Sequence, residues 1–125
     1  MTFKSKEFKL IVTGGRDFND YETLCDELND LAYNEYADRE VSIVSGMARG
    51  ADALTVKFAK EVGVKLYEFP ADWSHYGKRA GFIRNAQMGE FADGLLAFWD
   101  GKSRGTAHMI SYMEDQDKSV HIRSY

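Results

Sequence analysis

The sequence predicts an α/β protein: one domain spanning residues 1–125, with a mostly parallel five-stranded sheet covered by helices on both faces. Three observations lead there. Five short apolar runs alternate with segments of helical spacing, the pattern of right-handed βαβ crossovers. The 125 residues suffice for one ordinary core without disulfides or a structural metal. After each of the first four runs comes a polar loop rich in glycine, arginine or both.

The apolar runs fall at residues 8–12, 41–45, 64–69, 94–99 and 119–123. Each is short enough for a strand, and the first is expected at the centre of the sheet. Tyr21, Leu24, Leu28, Leu31 and Ala32 recur at helical spacing after the first run, and Leu54, Phe58, Ala59 and Val62 after the second. A third helix is placed at about 78–91, weakened by Gly81 and Gly89, and a fourth carries Thr106, Met109, Ile110 and Met113. Gly63 stops the second helix and Pro70 ends the third strand. Leu24, Leu28, Ile43, Leu54, Phe58, Leu96 and Ile110 are expected in the core, Trp99 with them, and residues 1–7 are expected to fray.

Composition excludes several classes. An apolar fraction of 44% and a charged fraction of 29% are those of a globular chain, neither disordered nor fibrous. No stretch approaches the roughly 18 apolar residues of a membrane span, and residues 1–9 lack the apolar heart of a signal peptide, so the cytoplasm is expected and a membrane is not. Cys25 stands alone, which suits a reducing compartment, and reads as a small buried hydrophobe. The net charge of −4 argues against gripping duplex nucleic acid through a broad basic face.

The chemistry gathers in the loops at 13–18, 45–52, 71–85 and 100–106. In a parallel sheet these share the edge where ligands bind, at the point where strand order reverses. Glycine permits close backbone approach to an anion, and each loop feeds a helix N-terminus that favours negative charge. Of the sixteen Lys and Arg residues, seven lie in or beside these loops: Arg16, Arg49, Lys78, Arg79, Arg84, Lys102 and Arg104. The turn at 37–40, at the other edge, lacks the pattern. The expected ligand carries phosphate, which Arg fits bidentately. Candidate ligand-binding residues are Gly14, Gly15, Arg16 and Asp17; Ser45, Gly46, Arg49, Gly50 and Asp52; Trp73, Arg84 and Asn85; and Asp100, Ser103, Arg104, Gly105 and Thr106.

Other motifs fail on spacing. Gly101-Lys102-Ser103 ends like a phosphate-binding P-loop, but the required first glycine would fall at Leu96. Gly14-Gly15 is not the G-x-G-x-x-G of dinucleotide binding. His75, His108 and His121 have no metal-ligand spacing with each other or with Cys25, so neither a metal nor a cofactor is expected. Ser45 and Ser103 show no triad arrangement.

Taken in order, the loops resemble the SLOG superfamily, the Rossmann-like group that includes the DNA-processing protein Smf/DprA and the Lonely-Guy enzymes. Within it they are most similar to the small stand-alone YspA-related branch of bacteria and phages. The resemblance rests on Gly14-Gly15-Arg16-Asp17-Phe18, on Ser45-Gly46-Met47-Ala48-Arg49-Gly50-Ala51-Asp52, on a stretch from Trp73 through Arg84-Asn85 to Met88, and on Ser103-Arg104-Gly105-Thr106. It implies a Rossmann-like three-layer sandwich with strand order 3-2-1-4-5, a nucleotide-type ligand and a homodimer. In the Lonely-Guy enzymes an arginine and a glutamate act on an N-glycosidic bond. Arg84 looks like that arginine, but the glutamate's place is taken by Met109, which cannot serve as acid or base. Asp17, Asp52, Asp72 and Asp100 are the remaining carboxylates near the loops.

Three functions stay open. The chain is a sensing or processing module that binds a small nucleotide, a hydrolase cutting an N-glycosidic or phosphoester bond, or a single-strand binder that stacks bases on Trp73, Tyr76 or Trp99.

Overall fold

Five strands form in the computed structural model, which describes residues 7–125: β1 (Glu7–Gly14), β2 (Glu40–Ser45), β3 (Leu66–Glu68), β4 (Gly94–Trp99) and β5 (Ser119–Ser124). All pair in parallel, in the order β3-β2-β1-β4-β5, so β1 is central. Leu10 stands beside Ile43 on one side and Gly94 on the other. The chain crosses from β3 to β4 over the sheet, which puts the reversal of strand order between β1 and β4.

Side chains of β1 alternate between two cores, as strand geometry requires. Leu10 and Val12 pack with Leu24 and Leu28 of α1 (Tyr21–Asp30) and Phe58 of α2 (Ala51–Val62). Ile11 packs on the other face with Met88 of α4 (Ala80–Phe91) and Met109, Ile110 and Met113 of α5 (Arg104–Asp115). Three layers result, an α/β Rossmann-like fold. Among the described residues no helix is long and apolar enough to cross a membrane.

Local chemistry sets the helix ends. Asp20 caps α1 by accepting from Thr23 N–H at 3.1 Å, and Gly63 closes α2 in a left-handed conformation, its N–H bonded to Ala59 O. Past α1 the chain widens into a π-turn (Leu31–Glu35) that delivers Tyr36 onto Phe8, ring centroids 4.0 Å apart.

Several expectations need correction. Glu7, placed among the fraying residues, opens β1; residues 1–6 lie outside the described chain. The third strand is half its expected length: Val64 N–H donates to Ala59 O at the end of α2 instead of to β2, and Phe69 makes only a closing bond, its N–H donating to Ser45 O at 2.8 Å. The helix expected at 78–91 is preceded by a separate turn, α3 (Trp73–Tyr76), and by a 3-10 turn (Gly77–Arg79). Gly77 takes a positive φ of 61° there, which no α-helix continues. Leu54 is only half-buried on the margin of α2, as is Cys25 on α1. Trp99 is half-buried too, since it lies at the strand end and its indole N–H donates to Ser103 O at 3.1 Å.

Candidate functional site at the carboxyl edge of the sheet

β1 ends where three chain segments touch. A Cβ on Gly14 would lie 2.5 Å from Phe98 O and 2.8 Å from the Ala51 Cβ, and one on Gly15 would collide with the Tyr125 hydroxyl. Close packing against backbone therefore requires glycine at position 14, whereas at Gly15 the obstacle is the end of an exposed side chain. The Gly15 N–H donates to Phe98 O at 3.2 Å, so it is engaged within the protein and not free for an anion as the sequence had suggested. The next two residues differ. Arg16 and Asp17 are exposed, and no hydrogen bond occupies their backbone N–H groups among the described residues. Phe18 anchors the loop behind them, its ring stacked 4.5 Å from Phe98.

The loop after β2 is folded by its own polar groups. Ser45 Oγ accepts from Met47 N–H at 3.2 Å, with Met47 in the left-handed region at φ 62°. Gly50 adopts φ 71° where a Cβ would stand 2.2 Å from Gly15 O. Ser45 and Gly50 thus shape the loop and do not line the cavity. Asp52, in the first turn of α2, is 4% exposed. Its Oδ2 accepts from Ala48 N–H at 3.1 Å, while Oδ1 has no hydrogen-bond partner among the described residues. Burial pushes its pKa up to about 6, against the pull of the Ala48 N–H, the Arg84 charge and the nearby Thr13 hydroxyl.

Two adjacent residues of α4 reach opposite walls. Arg84 Nη1 donates to Gly46 O, and a Cβ on Gly46 would meet the guanidinium at 2.8 Å. Asn85, buried, donates through Nδ2 to Gly105 O at 3.2 Å and accepts from Arg84 Nε at 3.1 Å. Burial lowers the Arg84 pKa, Asp52 raises it and Arg16 lowers it again, a sign that two guanidinium groups face one space. Across from them Asp100 accepts from the N–H groups of Lys102 and Ser103 at 2.8 and 2.9 Å. Ser103 caps α5 through Thr106 N–H, leaving the first-turn N–H groups of Arg104 and Gly105 without intrahelical partners.

These elements enclose a hollow of about 450 Å³ lined by Thr13, Gly14, Gly15, Arg16, Asp17, Ala48, Asp52, Arg84, Asn85, Asp100, Ser103, Gly105 and Thr106. A second hollow of about 240 Å³ adjoins it, lined by Gly46, Met47, Arg49, Pro70, Ala71 and Trp73, and shares Arg16, Ala48 and Arg84 as its wall. The candidate residues are divided between two spaces where one was expected. Arg104 lines neither and is exposed, because successive helical residues point about 100° apart and its neighbours Gly105 and Thr106 take the inward positions. Sequence reasoning had not singled out Thr13, Ala48, Met47, Pro70 or Ala71 as lining residues. Thr13, Met47, Ala48 and Ala71 fall within the loops it named, and Pro70 borders one. Among the described residues no group of three His, Cys, Asp or Glu is placed to hold a metal.

The fold and the polar hollow at the strand reversal define a Rossmann-like α/β protein with its candidate site at the switch point. A family model described as the YspA, cpYpsA-related SLOG family matches residues 8–76. The chain is 36% identical over 109 residues to the Gene 61 protein of Mycobacterium phage D29, covering 82% of this chain and 85% of the relative. It belongs to the YspA-related SLOG family. No solved structure matches it at a significant level.

Proposed function

We propose that this chain is a cytoplasmic module that binds a phosphate-bearing nucleotide in the larger hollow. One observation carries the reading: a chain of net charge −4 turns Arg16 and Arg84 toward one space, where backbone N–H groups of the β1 loop and the α5 start are also unengaged. Guanidinium groups and helix-terminal N–H groups are the natural partners of phosphate oxygens. SLOG membership supports a nucleotide-related role. Binding is favoured over Lonely-Guy-type hydrolysis because Met109, at the place of that glutamate, is sealed in the core.

Thermal melts with mono-, di- and triphosphates of the four ribonucleosides test this. A nucleotide at 100 times its Kd stabilises the native state by about 2.7 kcal/mol. For a domain of this size the midpoint rises on the order of 10 °C. At least one of the panel is expected to do so. No shift across the panel, or a steeply salt-dependent preference for single-stranded oligonucleotides, overturns the reading.

A further inference from the structure

Asp52 presents a buried carboxylate oxygen that folding has left without a partner. The residue is 4% exposed, Oδ2 is held by Ala48 N–H, and Oδ1 is unbonded among the described residues although Asp52 lines the larger hollow. An acceptor buried without a donor is costly, and more so when it is ionised. The fold bears that cost only at this oxygen, among the described side-chain atoms. Arg84 does not bond it but acts on its charge, and the Thr13 hydroxyl lies near enough to lower its pKa without satisfying it.

Position narrows what the missing donor is. The larger hollow carries Arg16 and Arg84 beside Asp17, Asp52 and Asp100, whereas the smaller carries Arg16, Arg49 and Arg84 beside Met47, Pro70 and Trp73, the last 53% exposed. A flat base suits the Trp73 face of the smaller space, and a nucleotide laid across both then sets its phosphate in the larger. Ala48 and Arg84 belong to both, and Asp52 is bonded to the first and beside the second. Asp52 therefore stands at the junction, where the sugar of a nucleotide spanning the two hollows must lie. The hydrogen-bond donors of a nucleotide sugar are its hydroxyls.

We infer that Asp52 Oδ1 accepts a hydrogen bond from a ribose hydroxyl, making Asp52 the residue that selects ribonucleotides over deoxyribonucleotides. This rests on the nucleotide reading above and adds the sugar class to it. A carboxylate oxygen that loses its donor keeps its desolvation cost, so discrimination by a site of this kind is strong.

The four ribonucleoside diphosphates, each paired with its 2′-deoxy and 3′-deoxy counterpart, are titrated calorimetrically against the wild-type chain and the variants Asp52→Asn and Asp52→Ala. In the wild type, removing one of the two hydroxyls is expected to weaken binding roughly 10- to 100-fold. In Asp52→Ala the ribo and deoxy forms should fall within about threefold of each other, while Asp52→Asn, which keeps a neutral acceptor oxygen, should retain a smaller preference than wild type, melts reporting that each variant is folded. Equal wild-type binding of ribo and deoxy forms overturns the role of Asp52 while leaving phosphate binding intact. A preference that survives both substitutions overturns it also. If no diphosphate binds and the mono- and triphosphates are equally silent, the nucleotide reading fails and this inference with it.

Discussion

A recess opens at each end of the sheet. At the amino ends of the strands, α1, its π-turn, β2 and α2 surround about 340 Å³ walled by Leu28, Ile43, Phe58, Val62 and Val64. At the carboxyl ends the larger hollow is of similar scale, but Arg16, Asp52 and Arg84 stand in its wall. Polar groups near the first recess are satisfied internally: Ser42 Oγ donates to Glu7 at 2.6 Å, and the Gly63 N–H closes its helix. Near the second, a carboxylate oxygen and several N–H groups have no partner among the described residues. Volume alone does not mark a site. Unmet hydrogen-bonding capacity beside concentrated charge does.

The sharpest way to break this contrast is to damage the apolar end. Phe58→Ala should lower the unfolding free energy by about 3–5 kcal/mol, measured by urea melts, because a buried ring leaves a cavity. Nucleotide affinity of the folded fraction, titrated in the cold, should stay within about twofold. A large loss of affinity would show that the two ends are coupled.

Arg84→Ala should do the reverse. The nucleotide-induced gain of about 2.7 kcal/mol should vanish from the melts. The unliganded chain should lose roughly 1–2 kcal/mol, since the bond to Gly46 O goes and Asp52 is deprived of its nearby positive charge.

Asp52→Asn sharpens the contrast through pH. The folded-state pKa of about 6 lies above the ordinary Asp value of 3.8, so the native state binds the proton more tightly than the unfolded one. Stability falls as pH rises from about 3.8 to about 6, and the ionisation cost is fully present above that. Besides Arg84, the charged groups lining the same hollow are Arg16, Asp17 and Asp100. The Asn variant should therefore be more stable than wild type by about 1–3 kcal/mol at pH 8, with the gap closing near pH 4. A gap independent of pH would mean that Asp52 does not titrate in this range.

Tyr125→Phe is the mildest change. Its hydroxyl donates to Asp17 Oδ1 at 2.6 Å, and burial followed by that carboxylate pushes its pKa up. Loss of this partly exposed bond should cost about 0.5–1.5 kcal/mol in melts and loosen the β1 loop against hydrogen exchange.

The five strands, their parallel pairing and the helices between them were legible because apolar periodicity and crossover handedness leave few topologies, whereas the strand order was implied by the family resemblance. That Arg84 and Asn85 stand in the wall of the larger hollow was legible from the motif that holds them. The place of Arg104 was not, because one residue of uncertainty in a helix start rotates a side chain by about 100°. The segment around Trp73 carries no period, so its separate helical turn left no signal. The division into two hollows, and the solitary oxygen of Asp52, depend on residues from β1, α2 and α4 meeting in space. No local pattern encodes such a meeting.

Arg84 and Asn85 also bear on how such a chain can diversify. Neighbours in sequence, they tie one helix to the Gly46 and Gly105 carbonyls, bracing both banks of the larger hollow from a single turn. The stretch just upstream, with Pro70, Ala71 and Trp73, borders only the smaller hollow. Substitution or lengthening there would redraw the smaller hollow and spare the braced one. A lineage built on this scaffold can thus keep the braced hollow unchanged while reshaping its neighbour over a few residues.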